Sequence, residues 1–155
     1  MNNNDVLRSI CLVLNLNDTA TTNIFKLAGH DMSPAMISQF LKNENEDGYL
    51  DCNDQLMTLF LEGLIIHRRG KSEKNLPPSN ASNSPLTNNT IIKKLRIAFN
   101  LKEDDLLELM SLADYEVNKN EMGAFFRKSG HKHYRVCPDE FLMGFLVGLT
   151  FHQWH

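Results

Sequence analysis

The chain repeats itself without a gap. At a constant offset of 85, Asn4 to Arg69 falls on Asn89 to Trp154. Identical pairs include Asn15/Asn100, Leu27/Leu112, Phe40/Phe125, Tyr49/Tyr134, Cys52/Cys137, Asp54/Asp139, Gly63/Gly148 and His67/His152. Many other pairs exchange one apolar residue for another, as in Val6/Ile91, Ile10/Leu95 and Ile24/Leu109. A fixed period with a shared hydrophobic pattern is the signature of a tandem repeat. Between the copies runs GKSEKNLPPSNASNSPLTN, rich in Ser, Asn and Pro. Such a stretch buries too little apolar surface to offset its ordering entropy, so a flexible linker is expected. The domain reading is a first repeat over 1–70, a linker over 71–88 and a second repeat over 89–155.

Inside each copy the apolar spacing is helical. Val6, Ile10, Val13 and Leu14 mark one helix, and Ile91, Leu95, Ala98 and Phe99 its twin. A second helix is expected from Asp18 or Glu103, since acids suit a helix N-terminus. A third opens at Ser33-Pro34, an N-cap followed by proline at the first helical position, with its twin at Asn118 to Glu121. The fourth is expected after Cys52 or Cys137, with Pro138 as its first residue. No strand pattern bounded by hairpin turns interrupts this series. The fold class is therefore all-α, two homologous four-helix repeats. At about 65 to 70 residues each copy has a marginal core of its own, so the two are expected to dock.

The fourth helices are apolar on nearly every side, which predicts burial. Their apolar run of about a dozen residues is well short of the ~20 that span a bilayer. Gly144 and Gly148 stand four apart and Gly63 matches Gly148, spacing that lets backbones approach. A shared interface between the copies involving Gly63 and Gly148 is the expectation.

Composition narrows the function. Hydrophobic residues at 42% and charged residues at 23% fit a globular chain, and a net charge of −3 excludes bulk positive charge as a hold on nucleic acid. Three cysteines suit reduced thiols in a cytoplasm better than a disulfide scaffold. The opening MNNNDVLRS lacks a basic stretch leading into an apolar run, which also points to a cytoplasmic protein.

The pattern NNxxxKKLRIAFxLKxDDLL in the second copy resembles the YehS-like family of bacterial proteins. So does DGYLDCNDQLMTLFLEGLIIHRRGK, which closes the first. The resemblance covers the chain outside the linker. It implies a duplicated domain of unknown function and a bacterial origin, and brings no activity, cofactor or site residue with it.

Asn43 to Asp54 places oxygens at positions 1, 3, 5, 9 and 12 of a calcium loop, with glycine at 6. Its first position is Asn, its last is the short Asp54, and the twin loop has lost the ligands, so a polar connection is expected. His131 with His133, and His152 with His155, form pairs too small for zinc, which wants three or four ligands. Cys52 and Cys137 precede helix N-termini, where a thiol pKa can fall, but Asp54 and Asp139 oppose a thiolate. No phosphate-binding, dinucleotide or hydrolase motif is present. No catalytic residue, metal or cofactor is assigned.

Two loops remain. Arg127, Lys128, His131, Lys132, His133 and Arg135 surround Tyr134 as a candidate contact for an anion or a partner. The equivalent loop of the first copy carries Glu44, Glu46, Asp47 and Asp51, a candidate acidic contact. The second and third helices of each copy also resemble a helix-turn-helix. Tyr49, Cys52, Asp54, Gly63, His67, Tyr134, Cys137, Asp139, Gly148 and His152 form a repeat signature whose role is read as structural. The expectation is a non-enzymatic helical protein-interaction module with a protein partner. The alternative is a weak nucleic-acid or anion binder using the basic segment, and the opposed loops make a homo-oligomer a further candidate.

Overall fold

A computed structural model describes residues 1–70 and 85–152, so most of the expected linker (residues 71–84) lies outside the described residues. The chain divides into two compact units, Met1–Leu86 and Thr87–His155. Every regular element among the described residues is an α-helix. In the first copy these are α1 (Asn3–Leu14), α2 (Asp18–Leu27), α3 (Pro34–Phe40) and α4 (Asp54–Arg69). The second copy has α5 (Asn88–Ala98), α6 (Glu103–Leu112), α7 (Lys119–Phe125) and α8 (Asp139–Phe151). Asn88 is the first helical residue of α5 and Thr87 caps it.

The helix ends follow from particular side chains. Asn2 and Asp5 form a reciprocal capping box at α1: the Asp5 N–H donates to Asn2 Oδ1 at 2.8 Å and the Asn2 N–H to Asp5 Oδ2 at 3.2 Å. Asn17 and Asn53 cap α2 and α4, accepting the N–H of Ala20 and of Leu56. Ser33 caps α3 with Pro34 in the first turn, and Asn118 caps α7 by accepting the Glu121 N–H at 2.8 Å. After both first helices the chain turns on an asparagine at φ 53°, Asn15 and Asn100. Asparagine tolerates that left-handed conformation better than other residues with a Cβ. Pro138 departs from expectation. It is the cap residue before α8, not its first helical residue. The repeat explains why: Pro138 is the register twin of Asn53, so both fourth helices start at their aspartates.

Each copy closes over its own apolar interior. Leu7, Ile10, Ile24, Phe25, Ile37, Phe60 and Leu64 are fully buried in the first. Their register twins Ile92, Leu95, Leu109, Met110, Met122, Phe145 and Leu149 are buried in the second. The fourth helix packs chiefly on the second, α4 on α2 and α8 on α6.

This packing corrects two expectations. Gly63 and Gly148 each face the second helix of their own copy. A Cβ built on Gly63 would stand 2.0 Å from the Ile24 carbonyl oxygen, and one on Gly148 2.3 Å from that of Leu109. The close approach that the glycines permit is thus internal to each repeat. Nor is α8 buried on all sides: Met143 is 51%, Val147 46% and Phe151 61% exposed. These residues recur every four positions and form one exposed stripe along the helix. In α4 the expectation holds, since Phe60 to Ile66 are all buried.

Candidate functional site

Two consecutive asparagines at the start of the first helix organise everything beside the loops. Asn89 is buried, and its Nδ2 donates to the carbonyls of Phe125 (3.0 Å) and Arg135 (2.8 Å). Its Oδ1 accepts the Cys137 N–H at 2.9 Å. Asn88 Nδ2 donates to the Cys137 carbonyl (3.1 Å) and to Asp139 Oδ1 (2.7 Å). One turn of α5 thereby holds the end of α7, the exit of the loop and the entrance to α8. The first copy repeats the arrangement: Asn4 binds the carbonyls of Phe40 and Leu50 and the Cys52 N–H, and Asn3 binds the Cys52 carbonyl and Asp54. The buried amides satisfy backbone groups that no helix serves. The signature residues Asp54, Asp139, Cys52 and Cys137 belong to this device. The asparagines themselves went unrecognised in the sequence, although Asn-Asn recurs at the same offset.

The device gives both loops one backbone course. In the second copy the His131 N–H donates to the Lys128 carbonyl, Tyr134 N–H to that of His131 and Arg135 N–H to that of Ala124, at 2.9, 3.0 and 3.2 Å. In the first copy Glu46 N–H to Asn43, Tyr49 N–H to Glu46 and Leu50 N–H to Gln39 repeat these bonds at 2.9, 3.2 and 3.2 Å. Only the side chains differ.

In the second copy they line a cleft of about 540 Å³ between the α7 segment and the loop. Asn118, Asn120, Glu121 and Ala124 form one wall, and Arg127 with Lys132 to Arg135 the other. The structure thus brings together Arg127, Lys132, His133 and Arg135 of the expected basic set. Lys128 and His131 lie outside the cleft wall. Among the described residues, no ion pair or side-chain hydrogen bond engages Arg127, Lys128, Lys132 or Arg135. The one carboxylate in the wall, Glu121, accepts from Asn118 Nδ2 at 2.7 Å. His131 Nδ1 accepts the backbone N–H of His133 at 3.0 Å, and the two ring centroids lie 5.7 Å apart. Asn118 and Asn120 join the site from outside the basic stretch.

The first-copy loop is its negative. Asn43 to Gly48 are all exposed, with Glu44, Glu46 and Asp47 among them, and Asp51 is exposed beyond. Lys42 Nζ donates to the Asp47 carbonyl at 2.8 Å, and Glu46 Oε1 accepts the Asn43 N–H at 3.0 Å. Tyr49 donates its hydroxyl to Asp51 Oδ1 at 2.8 Å; that bond to a carboxylate pushes the phenol pKa up to about 12. Arg8 pins the loop entrance through the carbonyls of Leu41 and Lys42. Asp54, the last oxygen of the calcium-loop pattern, is the first residue of α4 and accepts from Asn3 Nδ2 and the Leu86 N–H. Among the described residues no three His, Cys, Asp or Glu side chains are grouped to hold a metal ion.

The helix-turn-helix reading does not hold. Residues 28–33 separate α2 from α3, and 113–118 separate α6 from α7. Six residues exceed the three or four that set the two helices of that motif. His67 is exposed in the last turn of α4, and His152 is half-buried at the end of α8. His155 lies outside the described residues.

All three cysteines are buried and free. Burial, with Asp54 and Asp51 near Cys52 and Asp139 near Cys137, pushes both thiols up to about 12. Burial raises Cys11 as well. The thiolate is the reactive species, so the native thiols should resist alkylation at pH 8. Labelling by a thiol reagent should proceed only as fast as the chain opens, and at once in denaturant. Rapid labelling of Cys137 in the folded protein would contradict this. The sign of the pH effect follows: unfolded thiols ionise near 9 and folded ones near 12, so stability falls as pH rises through that window.

Comparison with known proteins gives three findings. The family described as "Protein of unknown function (DUF1456)" matches residues 3–70 and again 88–153. The uncharacterized protein YehS of Escherichia coli (strain K12) is 37% identical over 153 residues, covering 99% of this chain and 97% of that protein. No solved structure matches the chain.

Proposed function

The chain belongs to the family of proteins of unknown function DUF1456, and within it we propose a binding role: a non-enzymatic helical protein-interaction module whose second copy offers a basic cleft to an acidic partner. One observation carries this reading. Arg127, Lys132 and Arg135 line a cleft of about 540 Å³, and among the described residues no carboxylate is paired to them. Like charges held on one loop repel, and an incoming anion relieves that repulsion. Guanidinium groups suit carboxylates in particular, since they donate in a planar fork. The three free, buried cysteines are in keeping with a reducing, cytoplasmic setting. Among the described residues no helix is long and apolar enough to cross a membrane.

Nucleic acid is the second reading, favoured by Tyr134 standing between His133 and Arg135 in the cleft wall. Retention on heparin and on a short duplex, each at two salt concentrations, tests both. The parent should be held on heparin at low salt. Lys128→Glu, Lys132→Glu and Arg135→Glu together should elute with the unbound fraction. Tighter retention on the duplex, falling steeply with salt, would transfer the site to nucleic acid. A charge-reversed variant that elutes like the parent would remove the cleft from either role.

A further inference from the structure

We propose that the partner of the basic cleft is a second copy of this chain, and that the segment it receives is the acidic loop of the first repeat, Asn43 to Asp51. This rests on the cleft being a binding site, and adds to that reading the identity of what fills it.

The argument starts from charge. The acidic segment from Lys42 to Asp51 carries four carboxylates, Glu44, Glu46, Asp47 and Asp51, against one lysine, a net of 1 − 4 = −3. The basic loop carries Arg127, Lys128, Lys132 and Arg135, and the facing helix adds Glu121, a net of 4 − 1 = +3. Drift of solvated surface residues scatters signs. Here one loop is almost purely negative and its duplicate almost purely positive, although the backbone hydrogen bonds of the two are the same.

Presentation agrees with this. Asn43 to Gly48 form six consecutive exposed residues, so the donor segment stands free of its own core. Among the described residues, neither the Glu44 nor the Asp47 side chain makes a hydrogen bond or ion pair. The receiving cations are likewise unengaged. Glu44 and Asp47 on one loop and the cations on the other are complementary without either carboxylate having to break an internal bond. Glu46 and Asp51 already accept one bond each within their own loop. Arg8, Asn4 and Asn89 hold the loop ends, which lowers the entropy lost on docking.

Donor and receiver are different surfaces, so the contact is heterologous, and successive molecules join head to tail until a ring closes. Exposed ion pairs are individually weak and screened by salt. Association should therefore rise with concentration and dissolve as the ionic strength increases.

Sedimentation equilibrium of the full chain tests the proposal. The parent should show a mass above the monomer at low ionic strength, returning to the monomer in roughly 0.5 M salt, where the screening length is only a few ångströms. One variant reverses the receiver (Lys128→Glu, Lys132→Glu, Arg135→Glu). Another reverses the donor (Glu44→Lys, Asp47→Lys), at positions whose side chains make no internal bond. Each alone should stay monomeric. Their equimolar mixture should associate again, because the first keeps the native acidic loop and the second keeps the native cleft. A parent that is monomeric at low salt overturns the proposal, as does either variant associating like the parent or a mixture that stays monomeric. Heparin retention separates the two levels: a monomeric parent that still binds heparin through the cleft sinks the self-association and leaves the anion site standing. Loss of both removes the cleft as well.

Discussion

Replacing Asn89 with alanine should destabilise the second copy by about 2–4 kcal/mol, more than any surface change in its loop. The side chain is buried and fully engaged, with two donations at 3.0 and 2.8 Å and one acceptance at 2.9 Å. A single such bond contributes about 1 kcal/mol net, but a buried group left without a partner costs about 1–3 kcal/mol. Alanine would strand the Cys137 N–H in a buried position and take the donor from the part-buried carbonyls of Phe125 and Arg135. Asn89→Asp separates shape from hydrogen bonding. It keeps the acceptor for Cys137 but loses both donations and buries a carboxylate, so it should be no milder. Urea unfolding would measure both. A variant with the parent midpoint would mean that solvent replaces the asparagine, contrary to its burial. Asn4→Ala makes the parallel case in the first copy, where Phe40, Leu50 and Cys52 depend on it. Because Arg135 is held through its carbonyl, a surviving Asn89 variant should also bind heparin more weakly than its residual stability alone would suggest.

The legible part of this fold was whatever the backbone demands of one residue at one place. Asn15 and Asn100 recur because each turns the chain at φ 53°. Ser33-Pro34 reads as a helix start because a hydroxyl acceptor and a fixed φ both serve that geometry. Helical periodicity marked the core positions, since Ile10, Ile24 and Leu64 and their twins must face inward. Periodicity does not say which neighbour covers a face. Hence α8, apolar all round, was expected to be buried, while Met143, Val147 and Phe151 are exposed. Gly63 and Gly148 announced a close approach without naming the helix approached. Polar residues misled in the opposite direction. Asn4 and Asn89 look like surface residues in the sequence and are the most connected side chains beside the loops. The basic cleft was half legible: its cations stood in one run, but Asn118, Asn120 and Glu121 join it only through the fold.

The glycines give the other large effect. Gly148→Ala should cost about 3 kcal/mol or more, at or above the upper end of what overpacking usually costs. A Cβ there would lie 2.3 Å from the Leu109 carbonyl oxygen and 2.9 Å from its carbon. Both are backbone atoms, so no rotamer change relieves the overlap, and α6 as a whole must back away from α8. That movement would loosen Leu109, Phe145 and Leu149, all fully buried. Leucine at this position should be worse still. Two other glycines calibrate the expectation. At Gly144 the nearest atom is Met110 Cε at 2.9 Å, the end of a flexible side chain, so Gly144→Ala should cost about 1 kcal/mol or less. At Gly123 nothing lies within 4 Å, and alanine inside α7 should stabilise by up to about 1 kcal/mol through helix propensity alone. Urea midpoints should therefore rank Gly148→Ala lowest, then Gly144→Ala, with Gly123→Ala at or above the parent. Gly63→Ala should fall beside Gly148→Ala, since its Cβ would meet the Ile24 carbonyl oxygen at 2.0 Å. If Gly148→Ala unfolds where Gly123→Ala does, the fourth helix is not seated on the second, and the duplicated core must be packed by some other pair.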